Sequence, residues 1–279
     1  MAYRDGFDGF AEYERLGEPE QVEKAQNWRA AIGLQQVDGL TPSEYLVETA
    51  KRNIAGEIDS YQVRELLDDY YQAKPTSVAA ERSEEADKVS ARIAEILAEK
   101  AFTFSPAAYV AIHQRLFNGV YEFAGKIRDY NISKAEWVLD GDTVYYAAAD
   151  SIRATLDYDF AQEKAFTYQG LNQAEIVAHI AQFVSGLWQI HAFGEGNTRT
   201  TAVFVIKYLR TLGFNVNNEL FAQHSWYFRN ALVRANYNDY LKSIYATPTF
   251  LNRFFENLLL GGTHPLKNRE LRVLREARR

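Results

Sequence analysis

The stretch His191-Ala192-Phe193-Gly194-Glu195-Gly196-Asn197-Thr198-Arg199-Thr200 joins two apolar segments, and those neighbours decide the fold class. Upstream, Ile176, Ile180, Phe183, Val184, Leu187 and Trp188 recur at helical spacing over 172–190, which predicts one broad buried stripe. Downstream, 201–212 contains Ala202-Val203-Phe204-Val205-Ile206, apolar all round, as expected of a helix buried on every side. A short polar loop between two such helices is held rigidly. That is the support a reactive constellation needs.

As chemistry, the loop gathers complementary groups. Gly194 and Gly196 permit backbone geometry closed to other residues and a close approach to a ligand. The second helix is expected to open near Asn197-Thr198, where free N–H groups and the positive end of the dipole favour an anion. Arg199 in the first turn opposes the dipole of an isolated helix, a cost that makes sense with a phosphate between them. Glu195 offers a hard oxygen for Mg²⁺, and His191 is the one side chain here able to take a proton near neutral pH. Singly, His191 reads as a structural histidine and Asn197-Thr198 as an ordinary helix cap. A His191–Glu195 metal pair lacks a third ligand, and the chain has no cysteine. Together, the residues point to phosphoryl or nucleotidyl transfer from a magnesium nucleotide.

The stretch resembles the signature of the Fic family, His-x-Phe-x-(Asp/Glu)-Gly-Asn-Gly-Arg-x-x-Arg. The match holds at His191, Phe193, Glu195, Gly196, Asn197 and Arg199, and departs at Thr198 (family Gly) and Ala202 (the second Arg). The resemblance implies a mainly α fold, with a Fic-type helical domain, one β-hairpin flap and a small helical arm in front. It implies a protein adenylyltransferase that moves AMP from ATP to a Tyr, Thr or Ser hydroxyl of a target protein, with ATP and Mg²⁺ as cofactors. His191 would be the catalytic base and Glu195 the metal ligand. Gly194, Gly196, Asn197, Thr198 and Arg199 would bind the nucleotide phosphates. Thr198 resists positive φ, so it is expected in right-handed or extended backbone, with its hydroxyl free to meet a phosphate. Ala202 removes a cationic grip on the γ-phosphate, which keeps three alternatives in view: a kinase, a de-AMPylase of the same fold, and a non-catalytic interaction module.

The 279 residues, 47% hydrophobic and 14% aromatic, describe a globular chain with a substantial core. A net charge of −6 with no basic face before the last residues argues against nucleic-acid binding. Without cysteine there are no disulfides, thiolate metal sites or thiol nucleophiles. No leader opens the chain and no run approaches the ~18 apolar residues of a membrane span, so the expectation is a cytoplasmic protein without a membrane partner.

Four regions are predicted: a loose lead-in over 1–20, an antitoxin-like helical arm over 21–75, the catalytic domain over 76–262 and a basic tail over 263–279. In the arm, a helix from Gln21 is expected to stop at Gly39. Thr41-Pro42-Ser43-Glu44 reads as a capping box, and a third helix covers 60–73. Residues 31–67 resemble the small antitoxin that accompanies some Fic proteins, whose inhibitory helix carries (Ser/Thr)-x-x-x-Glu-Gly. Here the match is Leu34-Gln35-Gln36-Val37-Asp38-Gly39, so Asp38 is the candidate regulatory residue. It either inhibits differently, reaching Arg199, or belongs to an arm kept as scaffold with residual regulation.

In the catalytic part, Ser105-Pro106 opens a helix whose His113 reads as packing. Residues 123–134 resemble the lead into the family's flap, which places Ser133, Lys134, Ala135 and Glu136 on it. Trp137-Val138-Leu139 and Thr143-Val144-Tyr145-Tyr146, split by Asp140-Gly141-Asp142, carry a hairpin signal. Such a hairpin would either be covered by its neighbours or clamp a target peptide as an added strand beside His191; the resemblance favours the clamp. With 18 tyrosines, self-modification is the fallback. Helices are expected over 147–162, 225–237 and 248–260. Tyr227 and Asn230 are either core or the wall of an adenine pocket.

Overall fold

The computed structural model describes residues 9–75, 77–216 and 219–273. In chain order its helices are α1 (Ala11–Leu16), α2 (Pro19–Gly33), α3 (Glu44–Ala55), α4 (Ser60–Gln72), α5 (Val78–Ala98), α6 (Pro106–Phe117), α7 (Ile152–Ala165), α8 (Gln173–Ile190), α9 (Asn197–Thr211), α10 (Glu219–Ala235) and α11 (Thr249–Leu260). The chain divides into two compact units. One contains the residues up to Phe102 with Arg115–Ala124 and Ala202–Ser225; the other contains Thr103–Gln114, Gly125–Thr201 and Trp226 onward.

In the first unit α2 packs along α5, and α3 and α4 complete the group. The end of the arm differs from a plain helix running to Gly39. The α-helix stops at Gly33, Leu34–Asp38 continues as a 3-10 turn, and Gly39 closes it in the left-handed region at φ 64°. Gly33 is required for packing, since a Cβ there would lie 2.3–2.7 Å from the backbone of Ala222, and the Ser225 hydroxyl donates to its carbonyl at 2.7 Å. Helix α3 is capped by Ser43, two residues after Thr41. The Ser43 hydroxyl accepts from the Leu46 amide at 3.1 Å, and the Ser43 amide donates to the buried Asp87 carboxylate at 2.8 Å. Tyr71 donates to the same carboxylate at 2.6 Å, so a tertiary partner chooses which hydroxyl caps the helix. At the other end of α5, Lys207 of α9 donates to the carbonyls of Ile96 and Glu99 at 2.9 and 2.6 Å. Arg210 donates to Leu97 at 2.8 Å, completing carbonyls that the helix ladder leaves open.

In the second unit α7 and α11 both pack on α8. Asn172 and Glu175 form a reciprocal capping box at the start of α8, and Val177, Ile180, Phe183, Val184, Leu187 and Trp188 are buried along it. Helix α10 is kinked at His224 (φ −127°, ψ 26°), next to the point where the chain passes from one unit to the other.

The expected β-hairpin is absent: the described residues contain no strand, and their one β-bridge, Asp239 with Ile244, stands alone. Trp137–Leu139 curls into a 3-10 turn that makes its hydrogen bonds locally, Leu139 N to Glu136 O at 3.0 Å and Asp140 N to Trp137 O at 3.2 Å. Asp140 (φ 55°) and Gly141 (φ 88°) reverse the chain as the sequence suggests. The runs on either side do not pair into a ladder, because Val138, Leu139 and Val144 are buried as anchors and the Val138 carbonyl accepts from Val273 N at 2.8 Å. Burial of these side chains overrides their β propensity. The proposed docking of a target peptide as an added strand on this hairpin therefore falls with it.

Candidate active site

Helix α8 ends at His191, which takes the left-handed conformation (φ 49°, ψ 57°) with its amide on Trp188 O at 3.1 Å. From there the chain makes one tight turn into α9. Asn197 closes that turn, accepting from the Phe193 amide at 3.0 Å and donating to the Phe193 carbonyl at 2.7 Å. Gly196 supplies the positive φ of 76°, and Thr198 lies in right-handed helix, as its β-branched side chain requires. The Thr198 hydroxyl accepts from the indole of Trp188 at 3.0 Å, so it ties α8 to the first turn of α9. The ladder of α9 begins with Thr200 N to Gly196 O at 3.0 Å, which leaves the earlier N–H groups at the helix mouth outside it. Gly194 is half-buried at this mouth, and Arg199 is 1% exposed.

His191 itself is 3% exposed, its ring 4.1 Å from that of Tyr146 and edge-on to Trp188 at 5.3 Å. Among the described residues neither ring nitrogen has a hydrogen-bond partner. Burial holds its proton affinity well below that of a free histidine, and the nearby cations Lys134, Arg229 and Arg128 act in the same direction. The imidazole is therefore neutral at physiological pH, with a free lone pair.

The residues placed on the flap occupy a compact loop, and they part company there. Ser133 and Ala135 are exposed. Lys134 is ion-paired with Glu195 at 2.8 Å, across the motif loop. Glu136 is fully buried. It is paired with Arg229 at 2.7 Å and accepts from the Tyr146 hydroxyl at 3.2 Å; desolvation raises its pKa. Asp38 is half-buried at the end of the 3-10 turn of the first unit, beside Arg82, which donates to the Gly39 carbonyl at 3.0 Å. Tyr227 and Asn230 are core residues, with the Tyr227 hydroxyl on Phe250 O at 3.2 Å and the Asn230 amide on Asn268 Oδ1 at 2.8 Å.

His113, read from sequence as packing, is indeed fully buried and stacked on Phe193 at 3.7 Å. It also has a directed polar task. Gly125 N donates to its Nδ1 at 2.9 Å, so the proton sits on Nε2, which donates to the Glu195 carbonyl at 3.1 Å. Burial lowers its pKa to about 4, consistent with that neutral tautomer. Its spacing on α6 beside the apolar face gave no hint of this. Arg128, which in sequence is one charge within the 123–134 lead-in, is buried against the end of α8.

Residues 103–209 match the model of the Fic/DOC family. Over that span the chain is similar to a Fic domain. The matched span begins three residues before α6, ends two residues before the end of α9, and leaves out α1 to α5. Among curated relatives, the protein adenylyltransferase VbhT of Bartonella schoenbuchensis is 29% identical over 106 residues, 38% of this chain and 21% of its own length. A protein adenylyltransferase of Bartonella henselae is 27% identical over 144 residues, 48% of this chain and 26% of its own. The chain thus spans about a quarter or less of the curated relatives it matches. Among solved structures, the Fic domain of a putative cell filamentation protein of Bartonella quintana, with bound ADP, aligns with TM-score 0.53 and 21% identity. That alignment covers 67% of this chain and 87% of that one. The Fic domain of Bep8 from a Bartonella species aligns with TM-score 0.51 and 20% identity over 67% and 88%. These structures share the helical Fic fold with this chain. No helix among the described residues is long and apolar enough to cross a membrane.

Proposed function

We propose that this Fic domain transfers AMP from ATP to a hydroxyl of a protein side chain. The observation that carries the reading is His191, a buried, neutral imidazole with both ring nitrogens unengaged, at the turn that leads into the mouth of α9. The names of the curated relatives support the same activity. In the reaction, an imidazole nitrogen of His191 accepts the proton of an incoming Tyr, Thr or Ser hydroxyl. The hydroxyl oxygen bonds to the α-phosphorus, the bond from that phosphorus to the bridging oxygen breaks, and pyrophosphate leaves. Gly194, Gly196, Asn197, Thr198 and Arg199 form the phosphate mouth, with backbone N–H groups and the α9 dipole facing the anion.

The donor set fits Mg²⁺ held by Glu195. That side chain is half-exposed, one carboxylate with waters and phosphate oxygens suits this ion, and no cluster of three or more His, Asp or Glu among the described residues offers a protein cage. When bound, Mg²⁺ would neutralise charge on the phosphate oxygens. Two side chains have to yield before the reaction can run: Lys134, which occupies Glu195, and Tyr146, which covers His191.

Ala202, fully buried, offers no cation to the γ-phosphate and favours a second reading, phosphoryl transfer from ATP bound the other way round. Labelling with α- and γ-labelled ATP separates the two. We expect label from the α position, reduced at least ~10²–10⁴-fold in His191→Ala. Label from γ alone assigns the kinase, and no His191-dependent label on a known acceptor sinks both. Exposed Tyr130 and Tyr145 on the loop give a self-modification readout when the target is unknown. Asp38 is proposed to retain weak inhibition, read as faster AMP transfer in Asp38→Ala; an unchanged rate would leave the arm as scaffold.

A further inference from the structure

We infer that Arg128 is the positioning residue for His191, gripping the carbonyls of Ile190, His191 and Ala192 and so holding the left-handed backbone from which the imidazole projects. This rests on the reading of His191 as proton acceptor.

A histidine with φ 49° is an uncommon conformation that its surroundings must enforce. Catalytic imidazoles are often steered by a polar group on one ring nitrogen. Here, among the described residues, neither nitrogen has such a partner, and the ring lies against those of Tyr146 and Trp188. The direction of the imidazole is therefore set by its backbone. All three carbonyls around that point lead to one residue. The Arg128 amide donates to Ala192 O at 2.9 Å, its Nε to His191 O at 2.7 Å and one terminal nitrogen to Ile190 O at 3.4 Å. These carbonyls lie at the end of α8, where the ladder has no donor left and the dipole favours a cation.

The rest of the fork reaches the neighbouring loop. One terminal nitrogen donates to Tyr130 O at 2.6 Å and the other to Ala147 O at 2.5 Å, so Arg128 also ties together the two ends of the loop that carries Lys134 and Tyr146. Arg128 is 5% exposed, and among the described residues its guanidinium is paired with no carboxylate and donates to backbone carbonyls. A buried cation without a counter-charge is a costly way to fill space. It is an efficient way to hold four carbonyls with one rigid fork, which a lysine ammonium cannot reproduce.

The test compares Arg128→Lys and Arg128→Gln with wild type in the full chain, by two readouts. In protein labelled at the histidine Cε1 position, the His191 signal is identified by its loss in His191→Gln. We expect it to shift and broaden in Arg128→Lys, while the His179 and His264 signals stay in place. In the transfer assay we expect kcat to fall about 10²-fold, the scale of a misplaced reacting group, with KM for ATP within about threefold. In Arg128→Gln, which loses the charge, the acid limb of the pH profile should also move up, because a cation near the ring is gone. An unmoved His191 signal in Arg128→Lys, or a retained kcat, overturns the inference. If Arg128→Lys loses its cooperative melt, the same comparison is made on Arg128→Gln. A wild-type protein that transfers no label would defeat the proposed function, and the histidine signal would still decide the Arg128 contact.

Discussion

Two stretches converge on His191, the turn over 191–197 and the loop over 130–147, and they are held by opposite means. The turn is closed by short bonds between buried groups: Asn197 on both backbone atoms of Phe193, His113 on the Glu195 carbonyl, Trp188 on Thr198. The loop is held at the tips of long side chains, by the Arg128 fork, the Glu136–Arg229 pair and the Lys134–Glu195 pair. Buried short-range bonds give one geometry and no alternatives. Charged tips can exchange partners, as Lys134 must if Glu195 is to meet a metal ion. Preorganisation resides in the turn and adaptability in the loop.

The sharpest way to break this contrast is Glu136→Ala. It strands the Arg229 guanidinium, whose side chain is only 15% exposed, and should cost about 3–5 kcal/mol, expressed mainly in the loop. Hydrogen exchange is expected to rise across 130–147 while amides of the turn stay protected. Equal loss of protection in both would show that they form one cooperative unit.

Acid should act on the turn. His113 binds its proton at about 4 in the fold against 6.5 when free, so its contribution is complete above about pH 6.5 and is lost as pH falls towards about 4. The size is on the order of 3 kcal/mol at the low end. Urea titrations between pH 7.5 and 4.5 should show a flatter pH dependence in His113→Gln than in wild type. Parallel curves would remove His113 from the account.

The smallest effect is expected from Lys134→Met. The pair with half-exposed Glu195 contributes about 0–1 kcal/mol, so melting should barely change. With the competing ammonium gone, the magnesium concentration for half-maximal transfer should fall. An unchanged magnesium dependence would mean that Lys134 does not occupy the metal's place.

Much of the helical frame was legible because its signals are local. The boundaries of α4, α6, α8 and α11 follow from caps and periodicity within a few residues. Where a choice existed between neighbouring caps, as at Thr41 and Ser43, the distant Asp87 carboxylate made it. The β-prone runs around Asp140-Gly141 carried a real reversal and a false ladder, since propensity records side-chain preference and says nothing of the partner a strand needs. Of the site, the motif residues were visible as a pattern. His113 was legible only as an apolar-face histidine, and Arg128 only as one more charge in a polar segment.

From its sequence alone the chain determined that two buried helices would flank a glycine-lined polar turn with His191, Glu195 and Arg199, because periodicity, glycine and charge act over a few residues. Tertiary structure alone decided that the imidazole would lie neutral beneath Tyr146, that Glu195 would meet Lys134, and that one guanidinium would gather the last carbonyls of α8. The reason is physical: burial, desolvation and hydrogen bonds between residues some 60 positions apart depend on which surfaces the folded chain brings together.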